Sequence, residues 1–356
     1  MKVLLTAILT ASWLLQSCLS TGTDRASEQG VSCARGGVVP AQPPARIRLG
    51  VSGSLAEAAS YLAEGEGYFA REGLNVQLIN FVAGTRMLPA LASGQLDAGS
   101  TSIGPGLLNA SENNVCVKIV GSLARQEPEA NGVFLVARPD LIDSGRLREY
   151  ADLKGMTIAI PGRDSSSQYA LAKLMEAGGR HLDDARVLQM STPTIMVSLA
   201  NKSIDAAVLP EGVATAAAGK NLAVKWKPVA DVVPGAQFGV LLFSPQFSAQ
   251  REMAVRFMTA YLQAARDYDA AFFHEVRRPD VVEQMIKASP IKDRPLYDEM
   301  SFPRIDPNGR LNLDSIADQM QWLVRSGELQ RPVDLSRVID LSFADAAVDR
   351  LGPYPL

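Results

Sequence analysis

One pattern constrains this chain more than any other: short apolar runs alternate with helical stripes through one full round, break, and go round again. Residues 46–51 alternate as a strand and stop at Ser52-Gly53-Ser54, after which Leu55, Ala59, Leu62 and Ala63 recur at helical spacing. A strand over 76–81 follows, then a helix opened by Gly84-Thr85, in which Pro89 fits only the first turn, where its missing N–H costs nothing. Gly94-Gln95-Leu96-Asp97-Ala98 leads to Ser100-Thr101-Ser102, and 115–120 is a further strand. The round restarts with strands over 133–136 and 156–160. It continues through Pro161-Gly162-Arg163-Asp164, a helix with Tyr169, Leu171, Leu174 and Met175 inward, and a strand over 187–190. The run Asn201-Lys202-Ser203-Ile204-Asp205-Ala206 then repeats the design of Ser93-Gly94-Gln95-Leu96-Asp97-Ala98: a polar turn, an apolar residue, and Asp-Ala entering a short strand. Such a rhythm predicts an α/β protein of two similarly built lobes, each a mainly parallel sheet with helices on both faces.

After an apolar strand over 237–243 the signal turns helical. Met253, Phe257, Met258, Tyr261, Leu262, Ala265, Tyr268 and Phe272 form one stripe, with further helices over 279–286, 316–323 and 343–351. This remainder is expected to return to the first lobe. The division is then residues 46–132 plus 243–356 for the first lobe, and 133–242 for the second lobe with its crossover strands. Such a topology leaves a cleft with a flexible boundary, a usual place for ligand capture.

The N-terminus stands outside that body. Lys2 precedes an apolar stretch over 3–15 that is too short to span a membrane and has the form of an export signal. Leu15-Gln16-Ser17-Cys18 resembles the processing site of bacterial lipoproteins, so residues 1–17 read as a signal peptide, with Cys18 acylated or, alternatively, secretory cleavage at 17–20. Residues 18–45, with Pro40, Pro43, Pro44 and no apolar period, read as a flexible tether. Cys33 and Cys116 can form a bridge in an oxidising compartment, but their separation reads more simply as a bystander and a small buried hydrophobe.

Composition removes several functions. The 35 basic against 38 acidic residues leave no basic stripe, and no Cys/His finger spacing accompanies them, which argues against nucleic-acid binding. His181 and His274 are the only histidines; neither sits in metal-binding spacing or beside a cysteine. No serine-nucleophile elbow or phosphate-cradling Gly-Lys loop occurs, and neither cofactor nor metal is expected.

Glu64-Gly65-Glu66-Gly67-Tyr68-Phe69-Ala70-Arg71-Glu72-Gly73-Leu74-Asn75-Val76 resembles a run shared by the substrate-binding proteins of the nitrate, sulfonate and taurine class of ABC importers. Alkanesulfonate binders and thiamine-precursor binders belong to the same superfamily. Gly94-Gln95-Leu96-Asp97-Ala98, Asp152-Leu153-Lys154-Gly155 and the C-terminal Pro332-Val333-Asp334-Leu335 and Ile339-Asp340 extend the resemblance over residues 46–352. It implies the two-lobed periplasmic-binding-protein fold of type II, with two crossover strands and closure on a ligand. It also implies a location in the cell envelope, a monomer, and as partner an ABC permease with its cytoplasmic ATPase.

By matching position, the ligand is expected at Ser52, Ser54, Leu55, Gly84, Thr85, Ser100, Thr101, Ser102, Arg163, Ser165, Ser166, Ser167, Glu211, Gln237 and Phe238. Hydroxyls and N–H groups at helix N-termini can hold a small anion, although the same residues also cap helices purely for folding. Arg163 can form a bidentate pair with a carboxylate or sulfonate, or a salt bridge with Asp164. Glu211 favours a ligand donor and opposes a bare anion, unless it merely complements a helix dipole. The leading expectation is therefore capture of a small organic anion, a sulfonate or aromatic carboxylate, without chemistry. The alternatives are a nitrogen-containing or pyrimidine-type metabolite, or an enzyme or sensor on the same fold.

Overall fold

The computed structural model describes residues 45–355 except 113, 114 and 163–165. The signal, the tether, Cys18 and Cys33 lie outside the described residues, as do Arg163, Asp164 and Ser165. The described residues belong to one compact unit. Among them no helix is long and apolar enough to cross a membrane.

The strands are β1 (Ala45–Val51), β2 (Leu74–Asn80), β3 (Ala98–Ser102), β4 (Lys118–Gln126), β5 (Val133–Ala137), β6 (Thr157–Ile160), β7 (Arg186–Gln189), β8 (Ala206–Pro210), β9 (Val224–Pro228) and β10 (Ala236–Phe243). They form two five-stranded sheets, ordered β2-β1-β3-β10-β4 and β7-β6-β8-β5-β9. In each sheet the first three strands run parallel and the fourth runs antiparallel to both neighbours. The two-lobed α/β expectation is met, with one shared strand plan, but each sheet is mixed rather than mainly parallel, because its fourth strand runs against both neighbours. β10 is a member of the first sheet, paired with β3 and β4, although its sequence position grouped it with the second lobe. All eight of its residues are buried, which is why it reads as an unbroken apolar run.

The chain therefore crosses between lobes at residues 127–132 and 229–235. Gln126 ties the two crossings together: its backbone oxygen accepts from Gly235 N–H at 2.6 Å and its side-chain oxygen from Gly132 N–H at 3.0 Å. A β-carbon at Gly132 would lie 2.8 Å from Pro303 Cβ, so the backbone approaches the first lobe where only glycine fits.

The helical remainder packs on the first sheet, as expected. The helix Arg251–His274 buries the whole predicted stripe. Phe257 meets Phe69 at 4.9 Å, while Phe243 meets Phe257 and Phe343 at 5.5 and 5.4 Å, so four elements close one aromatic core. The two tyrosines of the stripe both find backbone partners for their hydroxyls, Tyr261 donating to the Ser122 oxygen at 2.8 Å and Tyr268 to the Pro303 oxygen at 2.9 Å. Cys116 corrects the reading of it as a small buried hydrophobe: it is half-buried and disulfide-bonded.

Candidate functional site: the strand-end turns of the two lobes

In a sheet of this kind ligands collect at the carboxyl ends of the parallel strands, where helix N-termini open. In the first lobe that edge is built by the turns Ser52–Leu55 after β1 and 81–85 after β2, and by Ser100–Ser102, the last three residues of β3. Gly84 holds the last two together, because a β-carbon there would come 2.7 Å from the Ser100 oxygen and 2.9 Å from Thr101 Cα. The predicted Ser52, Ser54, Leu55, Gly84, Thr85, Ser100, Thr101 and Ser102 thus share one edge. Thr101 Oγ1 is buried and has no hydrogen-bond partner among the described residues; Ser102 and Thr85 are half-buried.

What organises this edge is a residue sequence reasoning passed over, Glu57. Its carboxylate is 1% exposed and accepts from Ser52 N–H at 2.8 and 2.9 Å, Ser52 Oγ at 3.0 Å, Ser54 N–H at 3.0 Å and Tyr61 Oη at 3.3 Å. Ser100 Oγ donates to it as well. Burial pushes the Glu57 carboxyl above the usual carboxylate range, against the pull of the Ser100, Ser52 and Ser54 hydrogen bonds. Three predicted ligand donors are thereby occupied within the protein. The spacing Ser54-x-x-Glu57 is a capping box, and that signature was present in the sequence.

In the second lobe the helix Ser166–Ala177 opens after β6 with Ser166 buried and Ser167 half-buried. Glu211, directly after β8, is 3% exposed. Lys225 Nζ stands 3.1 Å from each Glu211 oxygen but hydrogen-bonds only Oε1, which also accepts from Thr215 Oγ1. Oε2 keeps its ion-pair neighbour and has no hydrogen-bond partner among the described residues. Lys225 additionally lies 4.5 Å over the Phe134 ring. No sequence signal marked Lys225, since nothing local links a lysine on an edge strand to a carboxylate 14 residues earlier.

Two predicted residues are placed elsewhere. Gln237 is fully buried: its amide nitrogen donates to Ser122 Oγ, the Ala124 oxygen and the Gly239 oxygen, and its amide oxygen accepts from Asn312 N–H. Every polar group of that side chain has an internal partner beside the crossing. Phe238 is buried against Tyr169, ring centroids 6.3 Å apart and nearly perpendicular, while Tyr169 donates to Asp318 at 2.5 Å.

A loop following the helix Arg278–Ala288 touches the turns of both lobes. A β-carbon at Gly53 would lie 3.0 Å from Pro290 Cγ, and one at Gly212 would lie 3.2 Å from Ile291 Cδ1 and 3.5 Å from Met300 Sδ. Both glycines have positive φ, 80° and 79°. The Glu57 edge and the Glu211 edge therefore face a common neighbour. A hollow of about 230 Å3 lies at the end of β6 against the first turn of the helix Ser166–Ala177, lined by Ile160, Gln168 and Asp183 among others, and another of about 330 Å3 lies beside Asn75. Among the described residues no cluster of three His, Cys, Asp or Glu is arranged to hold a metal ion.

Residues 56–271 match the profile of a family described as NMT1/THI5 like. The chain belongs to that family. A riboflavin-binding protein, RibY, of Chloroflexus aurantiacus is 24% identical over 293 residues, covering 80% of this chain and 81% of that protein. Among solved structures, the periplasmic nitrate-binding protein NrtA of Synechocystis PCC 6803 superimposes with a TM-score of 0.70 at 13% identity, over 87% of this chain and 89% of that one. The alkanesulfonate-binding protein SsuA of Xanthomonas axonopodis pv. citri gives 0.66 at 19% identity, over 84% and 99%. The family fold is thus the type II periplasmic-binding-protein fold, as the ordered motifs of the sequence implied.

Proposed function

We propose that this protein is the extracytoplasmic solute-binding component of an ABC importer and that it captures a nitrogen-containing heterocyclic metabolite between its lobes. The observation that carries the ligand class is the Glu211–Lys225 pair. It sets a carboxylate oxygen that has no hydrogen-bond partner among the described residues 3.1 Å from its ion-pair ammonium, an acceptor and a donor that complement a ring N–H next to a carbonyl or ring nitrogen. Membership of the NMT1/THI5-like family and the likeness to a riboflavin-binding protein support the same class. The organic-anion reading is weaker, because its donors Ser52, Ser54 and Ser100 already serve Glu57.

Capture proceeds without chemistry: the ligand bridges the two edges and shifts the population toward closed lobes. The partners of this role are a membrane permease with its ATPase, and the signal-like N-terminus with Cys18 suits a lipid-anchored monomer in the cell envelope. Titration calorimetry of the purified chain against riboflavin, an aminopyrimidine, ethanesulfonate and nitrate tests the reading. Stoichiometric binding of a heterocycle supports it. Binding of ethanesulfonate or nitrate alone sinks the ligand class, and turnover of any of these compounds sinks the transport role.

A further inference from the structure

Anion sites at helix N-termini work by pointing several N–H and hydroxyl donors at one place. In this protein the first lobe builds such a place after β1, with Ser52 N–H, Ser54 N–H, Ser52 Oγ and Ser100 Oγ converging, and fills it with its own carboxylate, that of Glu57. No lysine, arginine or histidine lies within ion-pair distance of Glu57 among the described residues. The other acid of the site, Glu211, has Lys225. Among the described residues, one edge therefore carries a neutralised acid and the other an acid without a cation.

We propose that Glu57 is the charge filter of this site: a positioning and specificity-determining residue that occupies the anion seat of the first lobe and makes the cleft discriminate against bare oxyanions. The inference rests on the binding-protein reading and deepens it. An anion brought to Ser52 or Ser100 has to compete with a carboxylate already holding those donors. In its ionised form that carboxylate also repels the anion in a poorly screened environment, where repulsion at a few ångströms lowers affinity on the order of tenfold or more. A neutral heterocycle meets neither obstacle. The same fold can thus present similar serines at these turns and reject the ions they would otherwise hold.

The test is calorimetry of the whole chain with ethanesulfonate, nitrate and riboflavin as probes, on the parent, Glu57→Gln and Glu57→Ala. In whichever variant melts cooperatively, affinity for ethanesulfonate or nitrate is expected to rise on the order of tenfold or more over the parent. Unchanged anion affinity in a cooperatively melting variant overturns the filter. Should neither variant fold, the parent is titrated with nitrate from pH 7 down to pH 4. The groups facing Glu57 are its own helix's Tyr61, the serines of the two turns, and Tyr261 of the long helix; burial holds both tyrosine hydroxyls above their ordinary range, so the carboxyl is the one among them that gains a proton. Nitrate affinity that rises on acidification supports the filter, and affinity flat over that range overturns it. Failure to bind riboflavin sinks the heterocycle reading alone, since the anion comparison is read without it.

Discussion

Asp97 in the first lobe and Asp205 in the second make the same bond in the same place. Asp97 Oδ2 accepts from the backbone N–H of Arg48 at 2.7 Å, and Asp205 Oδ2 accepts from that of Thr157 at 2.8 Å. The return bonds match, Asp97 N–H to the Arg48 oxygen and Asp205 N–H to the Thr157 oxygen. Each carboxylate also pairs with an arginine, Arg48 at 3.0 Å and Arg138 at 3.3 Å. An Asp-Ala entering the third parallel strand is thus the clamp that fixes it to the first.

Truncating either clamp removes a charge-assisted acceptor for a partly buried N–H and releases its arginine. Asp97→Ala and Asp205→Ala are each expected to lower unfolding free energy by about 1–3 kcal/mol. Denaturant melts with an unchanged slope and a lower midpoint check this; a midpoint equal to the parent's in both variants shows that the pairing carries no weight.

Glu57 gives a stability signature of opposite sign to that of an ordinary paired carboxylate. Its folded pKa is raised by burial, so the folded chain holds the proton more tightly than the unfolded chain. Stability from this group is full below the ordinary glutamate pKa and is lost as pH rises through the raised value. Glu57→Gln cannot lose it. Relative to the parent, the variant's melting temperature is therefore expected to climb as pH rises from about 4 toward neutrality. A difference between the two proteins that stays flat with pH removes the uncompensated charge from the account.

Much of this architecture was legible because it depends on local pattern. The period-2 and period-3.6 runs marked the strands other than β9 and the long helix, and the Asp-Ala echo marked the repeated sheet plan. The turns after β1, β2 and β3 were legible for the same reason, as serine and glycine interruptions at strand ends. Less legible was anything set by meetings distant in sequence. β10 reads the same whichever sheet it joins, and only pairing with β3 and β4 decides the matter. Gln237 looks like a cleft amide until Asn312 and Ser122 arrive to saturate it. Ser52 and Ser100 look like ligand donors because the carboxylate that takes them up comes from a helix between them in sequence.

Gly212 is held at φ 79° directly after Glu211, with Ile291 against it. Gly212→Ala forces an L side chain into a conformation it rarely adopts and drives a methyl toward Ile291 Cδ1, at 3.2 Å. The substitution is expected to cost about 1–3 kcal/mol and to separate the second lobe's turn from the loop at 289–300. A rise in the radius of gyration by small-angle scattering, with faster ligand dissociation, is the expected outcome. An unchanged radius and an unchanged melting temperature together contradict it.

The Glu211–Lys225 pair separates a stability role from a binding role. Lys225→Met leaves a carboxylate that is 1% exposed without its cation, and on the order of 3 kcal/mol is expected to be lost, moderated by the one-fifth exposure of the lysine. Glu211→Gln in the parent leaves the lysine with partial access to water and costs less. Combining the two removes both charges, so the double variant is expected to be more stable than Lys225→Met alone, a coupling that a double-mutant cycle of denaturant melts reads directly. Binding follows a different order: if Oε2 receives a ring N–H, Glu211→Gln weakens riboflavin by about tenfold, and in the Lys225→Met background it restores stability without restoring affinity. Additive losses in stability exclude the pair as a coupled unit. Affinity recovering in step with stability shows instead that Glu211 acts on the ligand only through the fold.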